Sequence, residues 1–405
     1  MTIEQLCKVD DRPSQGVIKT DIGIIKEMIK SIPTNIKESS TTTFLEPCFG
    51  SGTFIFELIR ELRRYGHSME NIQSRIHGCE TFGGAVNKVK RNLSNYNFKN
   101  IHNTNFLTHD FKNMDFTVAL YNPPYNGSSK EGYSRQSRNS IQLYKQFIKK
   151  SIDLNPKYLS IVIPYVWMLG DKDEETRRDL LTLGLKEIKH NSPSTFTGTN
   201  VLTVNILCER GYKGPITQQR YNPEYTKLLD KYSFTYNNPK DYIPIAYTKK
   251  DFDLYSSLCK SKNNINIKSG GTDLTRKQKD LITNKGDTLW WGGKDRYVKI
   301  NPLTPDKSPY NDKYRVAYRY LIGMEPQLSR DQYVFDTEII EPGVRVREKN
   351  RIIICDSKEE AEQVYKNLNS PLINKLVGFM CKSASLDNWI IQRLPDLRQD
   401  IKSNH

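Results

Sequence analysis

The sequence predicts an α/β protein, with a doubly wound, Rossmann-like sheet followed by a mixed α/β domain. Two observations carry this. Over roughly the first half, short apolar strands alternate with helical patterns, the order that builds parallel βαβ units. Near Gly211–Pro215 that alternation stops, and Pro, Asn, Tyr and Lys become frequent. The domains are therefore expected to be 1–212 and 213–405.

The elements follow in order. Ile22, Ile25, Met28, Ile29 and Ile32 recur at helical spacing and predict a helix over 21–31. Thr43-Phe44-Leu45 is a strand, followed by a Gly-rich turn and a helix over 54–65. A short strand at 75–79 leads to a helix over 84–96, and a further strand is expected at 101–106. The run FTVALY (116–121) reads as a buried strand, then come a polar loop and a helix over 142–154. YLSIVIP (158–164) is strongly apolar and reads as a central strand. A helix over 174–183 and a strand over 201–209 complete the first domain. Residues 212–247 read as a wrapping linker. Beyond it a helix is expected over 251–262, with strands at 288–291, 314–321 and 351–355. Ser357 with Glu360 forms a capping box for a helix to about Leu368, and a last helix is expected over 371–381.

Composition narrows the function classes. No apolar run is long enough for a transmembrane helix, and the acid-bearing N-terminus lacks a signal-peptide core. The 7 cysteines are scattered without CxxC, and the 6 histidines do not cluster with them, which argues against a disulfide framework or a structural zinc. The expectation is a reduced, cytoplasmic protein. The chain carries 61 Lys+Arg against 46 Asp+Glu, a net charge of +15. Such an excess raises the local concentration of polyanions.

Four short segments carry chemistry. In Glu46-Pro47-Cys48-Phe49-Gly50-Ser51-Gly52 the glycines let the backbone turn tightly and approach a ligand. Glu46, at a strand end, can accept hydrogen bonds from a cationic or hydroxyl-bearing ligand. Glu80 closes the next strand, where a carboxylate suits ribose hydroxyls. Asp110 beside Phe111 can bind an adenine amino group while the ring packs on the base. Asn122-Pro123-Pro124-Tyr125 directly follows a buried strand. Its prolines fix φ and restrict Asn122 to an extended conformation. The Asn122 amide and the Pro123 carbonyl become a rigid pair of acceptors beside the flat face of Tyr125, a site shaped for a planar substrate bearing an NH₂ group.

Together these residues resemble the γ-type S-adenosylmethionine-dependent adenine-N6 methyltransferases of DNA, over about the first 210 residues and in that family's motif order. Gly16–Lys30 resembles the segment that closes over methionine, with Thr20 in the matching place. Glu46–Phe54 resembles the cofactor loop, Glu80 the ribose-binding acid, Asp110-Phe111 the adenine-binding pair and Asn122–Tyr125 the catalytic NPPY. Thr81-Phe82-Gly83 departs from the commoner acid-x-Asn/Asp-Pro. Phe196, in Pro193–Phe196, is similar to the aromatic that packs on a flipped base opposite Tyr125.

The resemblance implies S-adenosylmethionine as cofactor, double-stranded DNA as partner, and 213–405 as the target-recognition domain. It also allows a separate cognate restriction endonuclease and a monomer or homodimer, in a bacterial cell or phage-infected host. Lys130, Arg135 and Arg138, in the polar loop after Tyr125, are expected near the DNA backbone. Arg276–Lys279, Trp290, Trp291, Lys294, Arg296 and Tyr297 fit a DNA-facing surface, with one of the two tryptophans in the core. Competing readings are an RNA adenine or DNA cytosine-N4 enzyme, a protein glutamine methyltransferase, and a non-catalytic DNA-binding subunit, which the intact motifs oppose.

Overall fold

The computed structural model describes residues 20–111, 114–125, 142–191, 202–222, 225–259, 263–271, 288–291, 297–300, 306–319, 337–347, 350–380 and 388–401. The chain divides into two compact units, Met1–Tyr242 and Ile243–His405. The change of unit thus falls later than the composition change that set the expected boundary.

In the first unit, the described elements are α1 Ile22–Ser31, α2 Thr34–Glu38, β1 Phe44–Glu46, α3 Thr53–Arg64, α4 Met69–Arg75, β2 Ile76–Glu80, α5 Gly83–Asn92, β3 Ile101–Asn103 and β4 Val118–Tyr121. They continue with α6 Leu143–Asp153, β5 Tyr158–Pro164, α7 Glu174–Thr182, β6 Leu185–His190, β7 Thr203–Glu209, β8 Ile216–Tyr221 and β9 Leu228–Phe234. The nine strands form one sheet in the order β3-β2-β1-β4-β5-β7-β6-β8-β9. From β3 to β5 all pairings are parallel, and β7 then runs antiparallel to both β5 and β6. The doubly wound half is as expected, but the sheet as a whole is mixed. The expected linker 212–247 instead contributes β8, which pairs parallel to β6, and the edge strand β9.

Apolar spacing explains how the helices dock. The buried stripe Ile24, Ile25, Met28 and Ile29 of α1 packs with Ile55, Phe56, Ile59 and Leu62 of α3 and with Val118, Val162 and Leu207 of the sheet. Each such side chain contributes about 1.5–3 kcal/mol when fully buried. Asp21 caps α1, its Oδ1 accepting the Gly23 amide at 2.7 Å. β5 is buried at every residue, which is why its sequence is mostly apolar rather than alternating, with Ser160 its one polar member.

The second unit carries α8 Lys249–Leu258, β10 Ile267–Ser269, β11 Thr288–Trp291, β12 Tyr297–Ile300, β13 Tyr314–Arg319, β14 Thr337–Ile340, β15 Arg345–Val346, β16 Asn350–Cys355, α9 Lys358–Leu368, α10 Pro371–Met380 and α11 Asn388–Arg393. Among its described residues are a sheet β10-β16-β13-β14 and a second one β12-β11-β15. Val316, Tyr318 and Ile353 of the larger sheet share a core with Val364, Leu368, Leu376 and Val377 of α9 and α10. The expected cap forms at Ser357, whose Oγ accepts the Glu360 amide at 3.2 Å, while Glu360 Oε2 reaches one residue further back and accepts the Asp356 amide at 2.6 Å.

Candidate active site

Strand order places the chemistry. β1 lies between β2 and β4, so the chain winds outward in opposite directions on its two sides. A crevice opens outside the carboxyl ends of strands at such a switch point. Glu46 ends β1, Glu80 ends β2, and Asn122 follows β4 directly. Parallel register brings these three strand ends to one edge, with Glu46 opposite Gly78 and Leu45 opposite Ala119.

The loop after β1 is held by its neighbour strand. The Phe49 amide donates to the Cys79 carbonyl at 3.3 Å, and the Gly50 amide donates to Glu80 Oε2 at 2.9 Å. Gly50 and Gly52 have φ of 50° and 84°, in the left-handed region that favours glycine. At Gly52 a Cβ would also stand 2.6 Å from Val89 Cγ2, so the residue both turns the chain and lets α3 approach α5. The other Glu80 oxygen accepts the Phe82 amide at 2.9 Å and the Thr81 hydroxyl at 3.3 Å. Glu80 is thereby the clamp of the loop as well as a group at the crevice. The departure at Thr81–Gly83 keeps this arrangement, because the contacts from 82 and 50 are backbone amides.

Glu46 stands apart from that satisfied carboxylate. It is 3 % exposed, and its Oε2 has no hydrogen-bond partner among the described residues. Burial, helped by the nearby Glu80 charge and opposed by the Cys48 amide, holds its carboxyl well above the usual range. The Cys48 thiol lies 3.9 Å from Glu46 Oε1 and donates to the Asn122 main-chain oxygen at 3.3 Å. Burial and the two carboxylates push this thiol up as well, so it stays protonated and remains a donor. Pro47 is buried beside it.

Asn122 is held at its amide nitrogen: Nδ2 donates to Thr20 Oγ1 at 2.9 Å. Its Oδ1 is buried without a partner among the described residues, and so is the Tyr125 hydroxyl. Pro123 is buried and Pro124 exposed. The strand beneath is fixed by the Tyr121 hydroxyl, 2.6 Å from Ser151 Oγ of α6. Asp110 is exposed, whereas the Phe111 ring is buried among Phe106, His109 and Phe116, with centroids 5.9, 4.6 and 5.4 Å away. Phe111 thus packs as a member of an aromatic cluster.

Of the expected site residues, Thr20, Glu46, Pro47, Cys48, Gly50, Gly52, Glu80 and Asn122–Tyr125 lie on the strand-end edge or contact it. Phe196, Lys130, Arg135 and Arg138 lie outside the described residues, as do Arg276–Lys279, Lys294 and Arg296; Trp290, Trp291 and Tyr297 lie on strands whose side chains are not described. Two contacts were not readable in the sequence: the Thr20 hydroxyl on Asn122, and the Cys48 thiol on the Asn122 carbonyl. Both join residues far apart in the chain, and no local pattern marks them.

Comparison with known proteins meets the same segment. Residues 53–195 match the model of the Eco57I restriction-modification methylase. Over that stretch the resemblance expected from the motif order is borne out. An adenine-specific methylase of Mycoplasma pneumoniae, named as uncharacterized, is 32% identical over 109 residues, a quarter of each protein. The chain thus spans about a quarter of the length of the curated relative it matches. Solved structures extend the likeness of fold beyond the methylase segment. The DrdV–DNA complex gives a TM-score of 0.56 at 11% identity, over 94% of this chain and 55% of that one. The type IIL restriction-modification enzyme MmeI in complex with DNA gives 0.54 at 13%, over 90% and 62%. At these identities the likeness concerns the fold.

Proposed function

We propose that the chain transfers a methyl group from S-adenosylmethionine to adenine N6 of a base flipped out of duplex DNA. The observation that carries this reading is the Asn122 carboxamide, anchored through Nδ2 with its buried Oδ1 left without a partner among the described residues. An unsatisfied buried acceptor on a rigid turn is costly unless a ligand donor completes it. An exocyclic amine supplies that donor.

The residues present suit the cofactor. Glu46 Oε2 is a buried acceptor with no partner among the described residues, next to a glycine loop whose backbone a ligand can approach. Glu46, Pro47, Cys48, Gly50 and Gly52 would line it, with Glu80 toward the ribose, Asp110 and Phe111 toward the adenine, and Thr20 toward the methionine. When bound, the cofactor supplies an electrophilic methyl group on a sulfonium. Adenine N6 is a weak nucleophile because its lone pair is delocalised into the ring. Asn122 Oδ1 and the Pro123 carbonyl accept its two N–H bonds, favour a pyramidal nitrogen and stabilise the positive charge that develops there. Tyr125 offers a stacking face that holds the base in line. Phe196 would close the opposite face, and Lys130, Arg135 and Arg138 would meet backbone phosphates. The net basic charge supports a DNA partner, and Ile243–His405 is the natural recognition unit.

The test is incubation with radiolabelled S-adenosylmethionine and AT-rich duplex DNA beside Asn122→Ala, with identification of the labelled nucleoside. N6-methyladenine from the wild type, reduced by about 10²–10³ in the variant, is the expected result. N4-methylcytosine would change the base, and label only in RNA or protein would overturn the substrate.

A further inference from the structure

The Asn122 carboxamide can sit in two orientations that exchange its acceptor for its donor. The choice matters at a site for an amine. With Nδ2 turned inward its N–H bonds would oppose those of the substrate; with Oδ1 turned inward the two groups are complementary. The main chain does not make that choice. β4, Pro123 and the Cys48 thiol on the Asn122 carbonyl fix the backbone, whereas the terminal torsion of an asparagine is broad and nearly two-fold. One contact holds the side chain in the orientation that leaves Oδ1 inward. Nδ2 lies 2.9 Å from Thr20 Oγ1, across 102 residues of sequence.

We propose that Thr20 is a positioning residue: its hydroxyl accepts from Asn122 Nδ2 and anchors the carboxamide with Oδ1 presented to the substrate amine. The proposal rests on the methyltransferase reading and adds a role distinct from contact with the cofactor. Thr20 is itself placed from a distance. It is buried and directly precedes Asp21, which caps α1. Farther along α1, Glu27 Oε1 accepts from Lys189 Nζ at 2.8 Å and from the Tyr221 hydroxyl at 3.0 Å, and Ser31 Oγ accepts from the same ammonium. These buried contacts fix the helix against β6 and β8, and so fix where its first turn delivers the hydroxyl.

The test is Thr20→Val, which keeps the shape and removes the acceptor, beside Thr20→Ser, which restores it. Thr20→Ala serves if valine is not accommodated, and thermal unfolding checks that each variant is folded. The expected result is a kcat about 5–10-fold lower in Thr20→Val, the range of one lost neutral hydrogen bond. KM for DNA stays unchanged, the loss in kcat persists at saturating S-adenosylmethionine, and Thr20→Ser recovers the rate. A second readout does not depend on turnover. In the full chain labelled with ¹⁵N-asparagine, the Asn122 side-chain amide is assigned by its loss in Asn122→Ala. Its exchange with water accelerates in Thr20→Val and not in Thr20→Ser. Weaker S-adenosylhomocysteine binding with kcat intact at saturation would overturn the proposal and make Thr20 a cofactor contact. An unchanged amide with an unchanged kcat would also overturn it. If the wild type methylates no DNA, the function reading fails, while the amide exchange still decides whether Thr20 holds Asn122.

Discussion

Glu27 and Glu46 are both buried in the first unit, at 8 % and 3 % exposure, and their surroundings are opposite. Glu27 sits under α1 with Lys189, Tyr221 and Ser31 around it, and the ammonium also reaches Glu187 Oε2 at 3.4 Å. Glu46 ends a strand, with one oxygen that has no partner among the described residues and a raised pKa. The contrast teaches how one domain uses buried carboxylates in two ways. A paired charge fixes architecture, because removing either partner strands the other in a low-dielectric interior. An unpaired carboxylate costs stability in the free protein and keeps an acceptor ready for a ligand.

The largest effect should come from breaking the paired site. Lys189→Met leaves Glu27 buried without its cation and is expected to cost about 3–5 kcal/mol by urea unfolding. Combining it with Glu27→Leu should recover most of that loss, since a matched apolar pair often replaces a buried ion pair at little cost. If the single and double variants are equally unstable, the pair is not what fixes α1. Next in size is Glu46→Gln. It should leave the free protein as stable as the wild type or more so, and weaken S-adenosylmethionine binding by roughly 1.5–3 kcal/mol, the range for hydrogen bonds to charged groups. Equilibrium dialysis beside unfolding of the free protein separates the two effects.

A pH series sharpens the same contrast. A carboxyl whose folded pKa is raised holds its proton more tightly in the folded chain than in the unfolded one. The Glu46 penalty is therefore absent in acid, where both states are protonated, and grows as pH rises above the unfolded value of about 4.3. The stability advantage of Glu46→Gln should be near zero at the acid end and widen toward neutrality. A gap that narrows with rising pH would contradict the assigned shift. The smallest effect is expected at Cys48. Cys48→Ser keeps a donor for the Asn122 carbonyl and should leave turnover within about twofold, while Cys48→Ala should cost about 1 kcal/mol in kcat.

Much of the first unit was legible because its patterns are local. β5 appears over the expected residues 158–164, and in the second unit the Ser357 cap and the helix to Leu368 are likewise readable from a motif. The segments assigned to the proposed site were legible for the same reason, each being a short run at a strand end. What was missed owes its burial to partners. β6 carries Lys189 and His190 inside the protein, and β8 buries Gln218, whose Oε1 lies 2.6 Å from His190 Nε2. Such strands show no alternation of apolar and polar residues, so Ile216–Tyr221 looked like linker. β9 is an edge strand with Leu228 and Leu229 exposed, which again hides the pattern. The Thr20–Asn122 contact belongs to tertiary structure alone.

The buried contacts of α1 also carry a consequence for synthesis. Glu27 leaves the ribosome before its partners: Lys189 follows 162 residues later and Tyr221 194 residues later. At roughly 5–20 residues per second, the first of those partners lags by about 8–30 s. Until it emerges, the helix lacks the ammonium that fixes its register, and Thr20 is not yet held against Asn122. The proposed site is held in full only after the strand-forming residues up to β8 have been translated, so a nascent chain already containing Asn122–Tyr125 still lacks the contacts that fix α1.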